Sequence, residues 1–170
     1  FWKNYNVFSG GRIEKFKDDK ILFSTGFANN LSASQNKNSL LGKIIVIDLN
    51  SNKHELMSYG HRNPQGLYYH KNENLIINTE HGPKGGDEIN FNFLESNQEK
   101  NFGWPRVSYG QAYPGQEKLF ENDTFEKSHE ELGFIEPFKY FTPAIGISEI
   151  LSFNKNSFCR SNCLWVSSLR

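Results

Sequence analysis

At 170 residues, with 19 Lys and Arg set against 19 Asp and Glu, the chain has the length of one ordinary domain and zero formal net charge. Balanced, interspersed charge excludes a surface driven onto nucleic acid or anionic membrane by electrostatics. No apolar stretch reaches the length of a membrane helix.

The chain opens on Phe1-Trp2-Lys3 with neither Met nor a signal-peptide pattern, which reads as a piece of a longer protein. No segment shows sustained helical periodicity; short β-type runs alternate with turns of Asn, Asp, Gly and Lys. The first hairpin runs over 11–16, turns at Lys17-Asp18-Asp19 and returns over 21–26. A strand is predicted over 42–49.

Gly60-His61-Arg62-Asn63-Pro64-Gln65-Gly66-Leu67 follows, and after it Thr79-Glu80-His81-Gly82-Pro83-Lys84-Gly85-Gly86-Asp87-Glu88. These two stretches set a guanidinium, two amides, an imidazole and carboxylates around tight Gly/Pro turns. Arg captures carboxylates and phosphates in bidentate fashion. Asp, Glu and exposed Gly/Pro carbonyls are donors suited to a hard cation such as calcium. The pattern therefore predicts an anionic ligand and a calcium ion side by side at strand ends.

Between the two stretches a second hairpin pairs 66–70 with 75–79, and another strand is predicted over 87–93. The segment 95–136, rich in Gly, Asn and charge, is read as a long functional or structural loop, with disorder as the alternative for 116–131. A third hairpin pairs 148–153 with 164–168. Hairpin units repeated with uneven loops suggest propeller blades of roughly 40 to 50 residues. Cys159 and Cys163 are either a disulfide, suited to an oxidising compartment, or two structural thiols.

Taken together, 60–67, 79–90, Asn101-Phe102-Gly103-Trp104-Pro105 with Ser108-Tyr109-Gly110, and Phe141-Thr142-Pro143-Ala144-Ile145 resemble the soluble PQQ-dependent sugar dehydrogenases. These form the glucose/sorbosone dehydrogenase family. Gly10-Gly11-Arg12 and Leu41-Gly42-Lys43-Ile44 match too, so the likeness runs in order from Ser9 to Arg170. The resemblance implies an all-β, six-bladed β-propeller, of which this chain supplies about three to four blades. It implies one partial propeller domain over 1–170, truncated at both ends.

It further implies a PQQ- and calcium-dependent oxidation of aldose sugars, with an electron acceptor as partner and a periplasmic or secreted location. Carried over by motif, Arg62, Asn63, Gln65, His81 and Asp87 would contact PQQ, and Arg170 falls on a basic cofactor position. The carbonyls of Gly82 and Pro83 would bind the calcium, and Glu88 is similar to a residue near a structural calcium. PQQ is a tricarboxylate, so a fixed cation such as Arg62 supplies both charge and planar fit.

One departure matters. In the family a His four residues before the Arg of the Gly-Arg pair takes the sugar proton; here that position is Phe8, preceded by Val7, and no His occurs before His54. The catalytic residue is therefore unassigned, and weak or absent sugar oxidation is expected. Two other readings stand beside this one. A non-catalytic propeller module would bind sugar or protein; a calcium-dependent lactonase would need several carboxylates on different blades, and only Asp87 and Glu88 cluster.

Several residues carry plainer expectations. His61 is read as an interior hydrogen-bonded residue, and His54, His70 and His129 as solvent-facing. Arg12 is read as a blade-closing salt bridge. Trp104, Tyr109 and Tyr113 either line a sugar subsite or pack in the propeller, and Asp87 and Glu88 either bind ligand or cap a turn.

Overall fold

The computed structural model describes residues 10–113, 125, 127–153 and 163–169. Among the described residues ten strands form three antiparallel sheets. The first is β1 (Gly10–Lys15), β2 (Lys20–Thr25), β3 (Lys43–Asp48) and β4 (His54–Tyr59), hydrogen-bonded in that order. The second is β5 (Pro64–His70), β6 (Leu75–Glu80), β7 (Asp87–Phe93) and β8 (Lys139–Phe141). The pair β9 (Ile147–Phe153) and β10 (Cys163–Ser168) forms the third. This succession of meander sheets is the blade arrangement of a β-propeller.

The three predicted hairpins and the strands over 42–49 and 87–93 correspond to β1–β2, β5–β6, β9–β10, β3 and β7. Their turns use residues that tolerate a left-handed backbone, with Asp18 at φ 50°, Asn52 at 56° and Asn74 at 46°. β4 and β8 went unpredicted for a physical reason. β4 begins with three exposed residues and β8 is only three residues long, so neither carries an alternating apolar signal.

The innermost strands β1, β5 and β9 pack side by side. The approach is close: a Cβ at Gly66 would lie 2.6 Å from Ser148 O and 2.5 Å from Thr79 Oγ1, so only glycine fits there. Arg12 ties the strands together, with Nη1 2.6 Å from Glu149 Oε2 and Nε donating to Gln65 O at 3.0 Å. The salt bridge expected of Arg12 thus joins the first sheet to the third.

Blade faces are covered on both sides, which is why central strands read as unbroken apolar runs. Ile76 points into a core with Leu22, Ile44, Val46, Leu67 and Tyr69. Its neighbours Leu75 and Ile77 point the other way, against Ile89, Ile147 and Ile150. Each such buried side chain contributes about 1.5–3 kcal/mol.

One helix intervenes, α1 (Leu31–Gln35), with the Asn30 side chain accepting from Ala33 N. Beneath it lies a fully buried cation. Lys43 Nζ donates to Ala33 O at 2.8 Å, Ser34 O at 2.9 Å and Leu41 O at 2.6 Å. Ser34 in turn holds the next functional segment, its carbonyl accepting from Gly60 N at 3.0 Å and its hydroxyl donating to His61 O at 3.0 Å. Among the described residues no helix is long and apolar enough to cross a membrane.

Candidate functional site

The segment from Gly60 to Asn63 leaves β4, crosses between the first two sheets and enters β5. Gly60 sits at φ 75°, and a Cβ there would meet Asn101 Oδ1 at 2.3 Å. His61 follows and is fully buried, as expected of an interior His. Its Nδ1 is 3.0 Å from Glu80 Oε1, its Nε2 2.8 Å from Ser58 Oγ, and its ring stacks on Phe102 at 4.7 Å.

Glu80 is the hub of this region. Its carboxylate also accepts from Arg62 N at 2.8 Å and Asn90 Nδ2 at 2.8 Å. Burial alone would raise its pKa, but His61 and the backbone N–H groups of Arg62 and Asn63 hold it below the usual carboxylate range. Glu88 stands directly opposite Glu80 in the β6–β7 register. Burial and then the neighbouring Glu80 charge push the Glu88 carboxyl well above that range. Two carboxylates sharing one dry space cannot both ionise freely, and here the one with more hydrogen-bond donors takes the charge.

Arg62 is 5% exposed. Its Nη1 donates to His81 O at 3.0 Å, and its guanidinium lies 5.7 Å from the Phe27 ring centroid and 5.3 Å from that of Trp104. Arg62, His81, Gly82 and Glu88 all line one small, solvent-open cavity, together with Glu80, Trp104 and His129. The arginine and the Gly82 turn therefore share one pocket. That turn is built of backbone: a Cβ on Gly82 would lie 2.2 Å from Gly86 O. Among the described residues no hydrogen bond reaches the carbonyls of Gly82 or Pro83.

The other predicted residues sit around this pocket without lining it. Asn63 Oδ1 accepts from Gly10 N at 3.2 Å and Gln65 Nε2 at 2.9 Å, and Asn63 O accepts from His81 N at 3.2 Å. Asp87 is buried, accepting from Gly82 N at 3.2 Å, Ile145 N at 3.2 Å and Ile147 N at 3.0 Å. It lies 3.7 Å from His81 Nδ1, and although burial raises its pKa, His81 and the Ile147 and Gly82 N–H groups bring it below the usual value. Asp87 thus braces the Gly82 turn against the third sheet. Arg170 and Phe8 lie outside the described residues.

His129 departs from its expected solvent-facing role. It is 1% exposed, with Nε2 3.8 Å from Glu88 Oε1, Nδ1 3.8 Å from Glu136 Oε2 and its ring stacked on Tyr109 at 5.5 Å. Burial lowers its pKa. Its neighbours Lys127, Ser128, Glu130 and Glu131 are polar, so local sequence pointed to solvent; the long loop instead folds this one residue back beside Glu88. His54 is exposed and His70 half-buried. Tyr109 does pack, face to face with Tyr140 at 3.7 Å, and it also lines a larger groove with Lys84, Gln111, Lys127 and Thr142.

Glu80, Phe27 and Lys43 were missed as functional by sequence reasoning. Glu80 lay inside the quoted motif but carried no spacing signal, and Phe27 and Lys43 gain their roles only from distant partners. Among the described residues no three His, Cys, Asp or Glu side chains gather into a metal site. Cys163 is disulfide-bonded, the first of the two alternatives; Cys159 lies outside the described residues.

A family model described as glucose/sorbosone dehydrogenase matches residues 3–170. The chain is 32% identical over 168 residues to the uncharacterised protein slr1608 of Synechocystis sp., covering 85% of this chain and 38% of that protein. It is 29% identical over 162 residues to the aldose sugar dehydrogenase YliI of Escherichia coli, covering 88% and 41%. Among solved structures, the apo form of the soluble aldose sugar dehydrogenase from Escherichia coli matches with a TM-score of 0.73 at 26% identity, over 94% of this chain and 48% of that one. The PQQ-bound form of an aldose sugar dehydrogenase from Streptomyces coelicolor shares the fold, with a TM-score of 0.65 at 24% identity over 95% and 42%. The chain spans about two fifths of the length of these curated relatives.

Proposed function

We propose, from the premise that this chain belongs to the glucose/sorbosone dehydrogenase family, that it forms part of a PQQ- and calcium-binding pocket of an aldose-oxidising propeller. The observation that carries this reading is the convergence of Arg62, the His81 carbonyl and the Gly82 turn on one cavity. The donor set fits both groups. Arg62 brings a fixed, largely desolvated cation for a ring carboxylate. Gly82 and Pro83 bring oxygens on a turn with no side chain in the way, as a hard cation requires.

In this reading Arg62 and His81 meet the cofactor at the cavity, Asn63, Gln65, Asp87 and Arg170 meet the parts of it that extend beyond, Asp87 also sets His81 and the Gly82 turn, and Gly82 and Pro83 hold the ion. When bound, the quinone supplies a hydride acceptor and the calcium a Lewis acid that polarises it. Glu80 and His61 fix the backbone of Arg62, and Glu88, whose carboxyl burial and the Glu80 charge push above its usual range, lies beside them. The disulfide at Cys163 suits an exported protein, in keeping with a periplasmic or secreted location.

A second reading, a propeller that binds without turning over, is favoured by Phe8 standing where a base is needed. The lactonase reading draws only on Asp87 and Glu88, which adjoin in the chain.

An absorbance titration of the intact protein with PQQ, in the presence and absence of calcium, tests the pocket. Saturable, calcium-enhanced uptake is expected, and Arg62→Gln is expected to weaken it by about 10–100-fold, the scale of a hydrogen-bonded charge. Equal affinity in Arg62→Gln, or no uptake at all, removes the reading.

A further inference from the structure

Two aromatic side chains from distant parts of the chain lie together against one side of Arg62, and each is bonded through its main chain to the turn that carries the arginine. Phe27 N donates to Arg62 O at 2.9 Å, while its ring lies 5.7 Å from the guanidinium carbon. Trp104 N donates to Gly60 O at 2.9 Å, with its ring 5.3 Å from the same carbon. The two rings meet edge to face at 5.5 Å, and Phe125 leans on Trp104 at 5.3 Å. The Trp104 carbonyl is itself held by Gln35 Nε2 at 2.7 Å. Cation and rings therefore belong to one hydrogen-bonded frame.

We infer that Phe27 and Trp104 are positioning residues: together they back one side of the Arg62 guanidinium while His81 O holds Nη1, so that its remaining N–H donors are presented, already oriented, to an anionic ligand in the cavity. This rests on the reading that Arg62 binds the anionic cofactor, and adds how its orientation is set. A free arginine side chain loses rotamer entropy when it binds; one already clamped has lost it on folding. Arginine stacks on aromatic faces while its in-plane donors remain usable, which lysine cannot match.

The test is a double-mutant cycle read by PQQ absorbance titration in the intact protein. Phe27→Leu and Trp104→Leu are each expected to weaken PQQ binding about tenfold, the range of a desolvated cation–π contact. Trp104→Phe, which keeps an aromatic face, is expected to restore affinity to within about threefold of the unmodified protein. In an Arg62→Gln background the same Leu substitutions are expected to have no further effect, because they act through the arginine.

A Leu substitution that weakens binding equally in both backgrounds, or in neither, overturns the inference, as does failure of Trp104→Phe to restore affinity. A rim contact of Trp104 with sugar alone would leave PQQ affinity unchanged and also overturn it. No PQQ uptake by the unmodified protein removes the functional reading and this inference with it; uptake with additive losses removes the inference alone.

Discussion

Aldose-dependent dye reduction by the intact protein, reconstituted with PQQ and calcium, is expected to be weak, and Phe8→His is expected to raise it by at least about 10²-fold. Oxidising a sugar hydroxyl removes a hydride from carbon and a proton from oxygen, and a positioned base contributes typically about 10²–10⁴-fold to such a step. Phe8 cannot accept a proton, and no His precedes His54 in the chain. Tyr5 is a poor substitute, since a phenol titrates near pH ~10. PQQ affinity serves as the control and is expected to stay the same in Phe8→His. Rapid turnover by the unmodified protein, or an unchanged rate in Phe8→His at full cofactor loading, would refute the proposal.

The largest expected loss of stability follows from Lys43→Met, about 3 kcal/mol. Met has similar length and apolar volume but no donor, so the carbonyls of Ala33, Ser34 and Leu41 would lose their shared partner in a dry interior. Each buried carbonyl left unmet costs about 1–3 kcal/mol, less whatever relaxation recovers and less the cost of burying the ammonium itself. Since Ser34 also holds Gly60 and His61, the substitution is expected to loosen the Arg62 turn and weaken PQQ binding as a second readout. Denaturant unfolding of both proteins checks this, and a loss below about 1 kcal/mol would contradict it.

The same lysine sets a pH signature. Burial lowers its pKa from 10.5 to about 8, so across that interval the unfolded chain binds more protons than the folded one. Its contribution to stability is therefore lowest below pH 8 and rises toward pH 10.5. The gap between the unmodified protein and Lys43→Met is expected to widen over that window; a gap that narrows would show that the folded state holds the proton more tightly than the unfolded chain.

What the sequence determined by itself was local in origin. Apolar runs such as 75–77 and 44–47, with Asp18, Asn52 and Asn74 at their turns, specify strands and hairpins, because period-two burial and left-handed turns need only neighbouring residues. The Arg62 and Gly82 motifs were legible because a guanidinium and a bare turn carry their chemistry in their residue types. The tertiary structure alone decided which groups share a space. The Glu80–Glu88 pair, His129 folded back beside it, Lys43 beneath α1, and Phe27 with Trp104 against Arg62 all depend on contacts between residues far apart in the chain. Burial, and with it protonation and side-chain orientation, is set by whatever packs around a group, and no local pattern of residues records that.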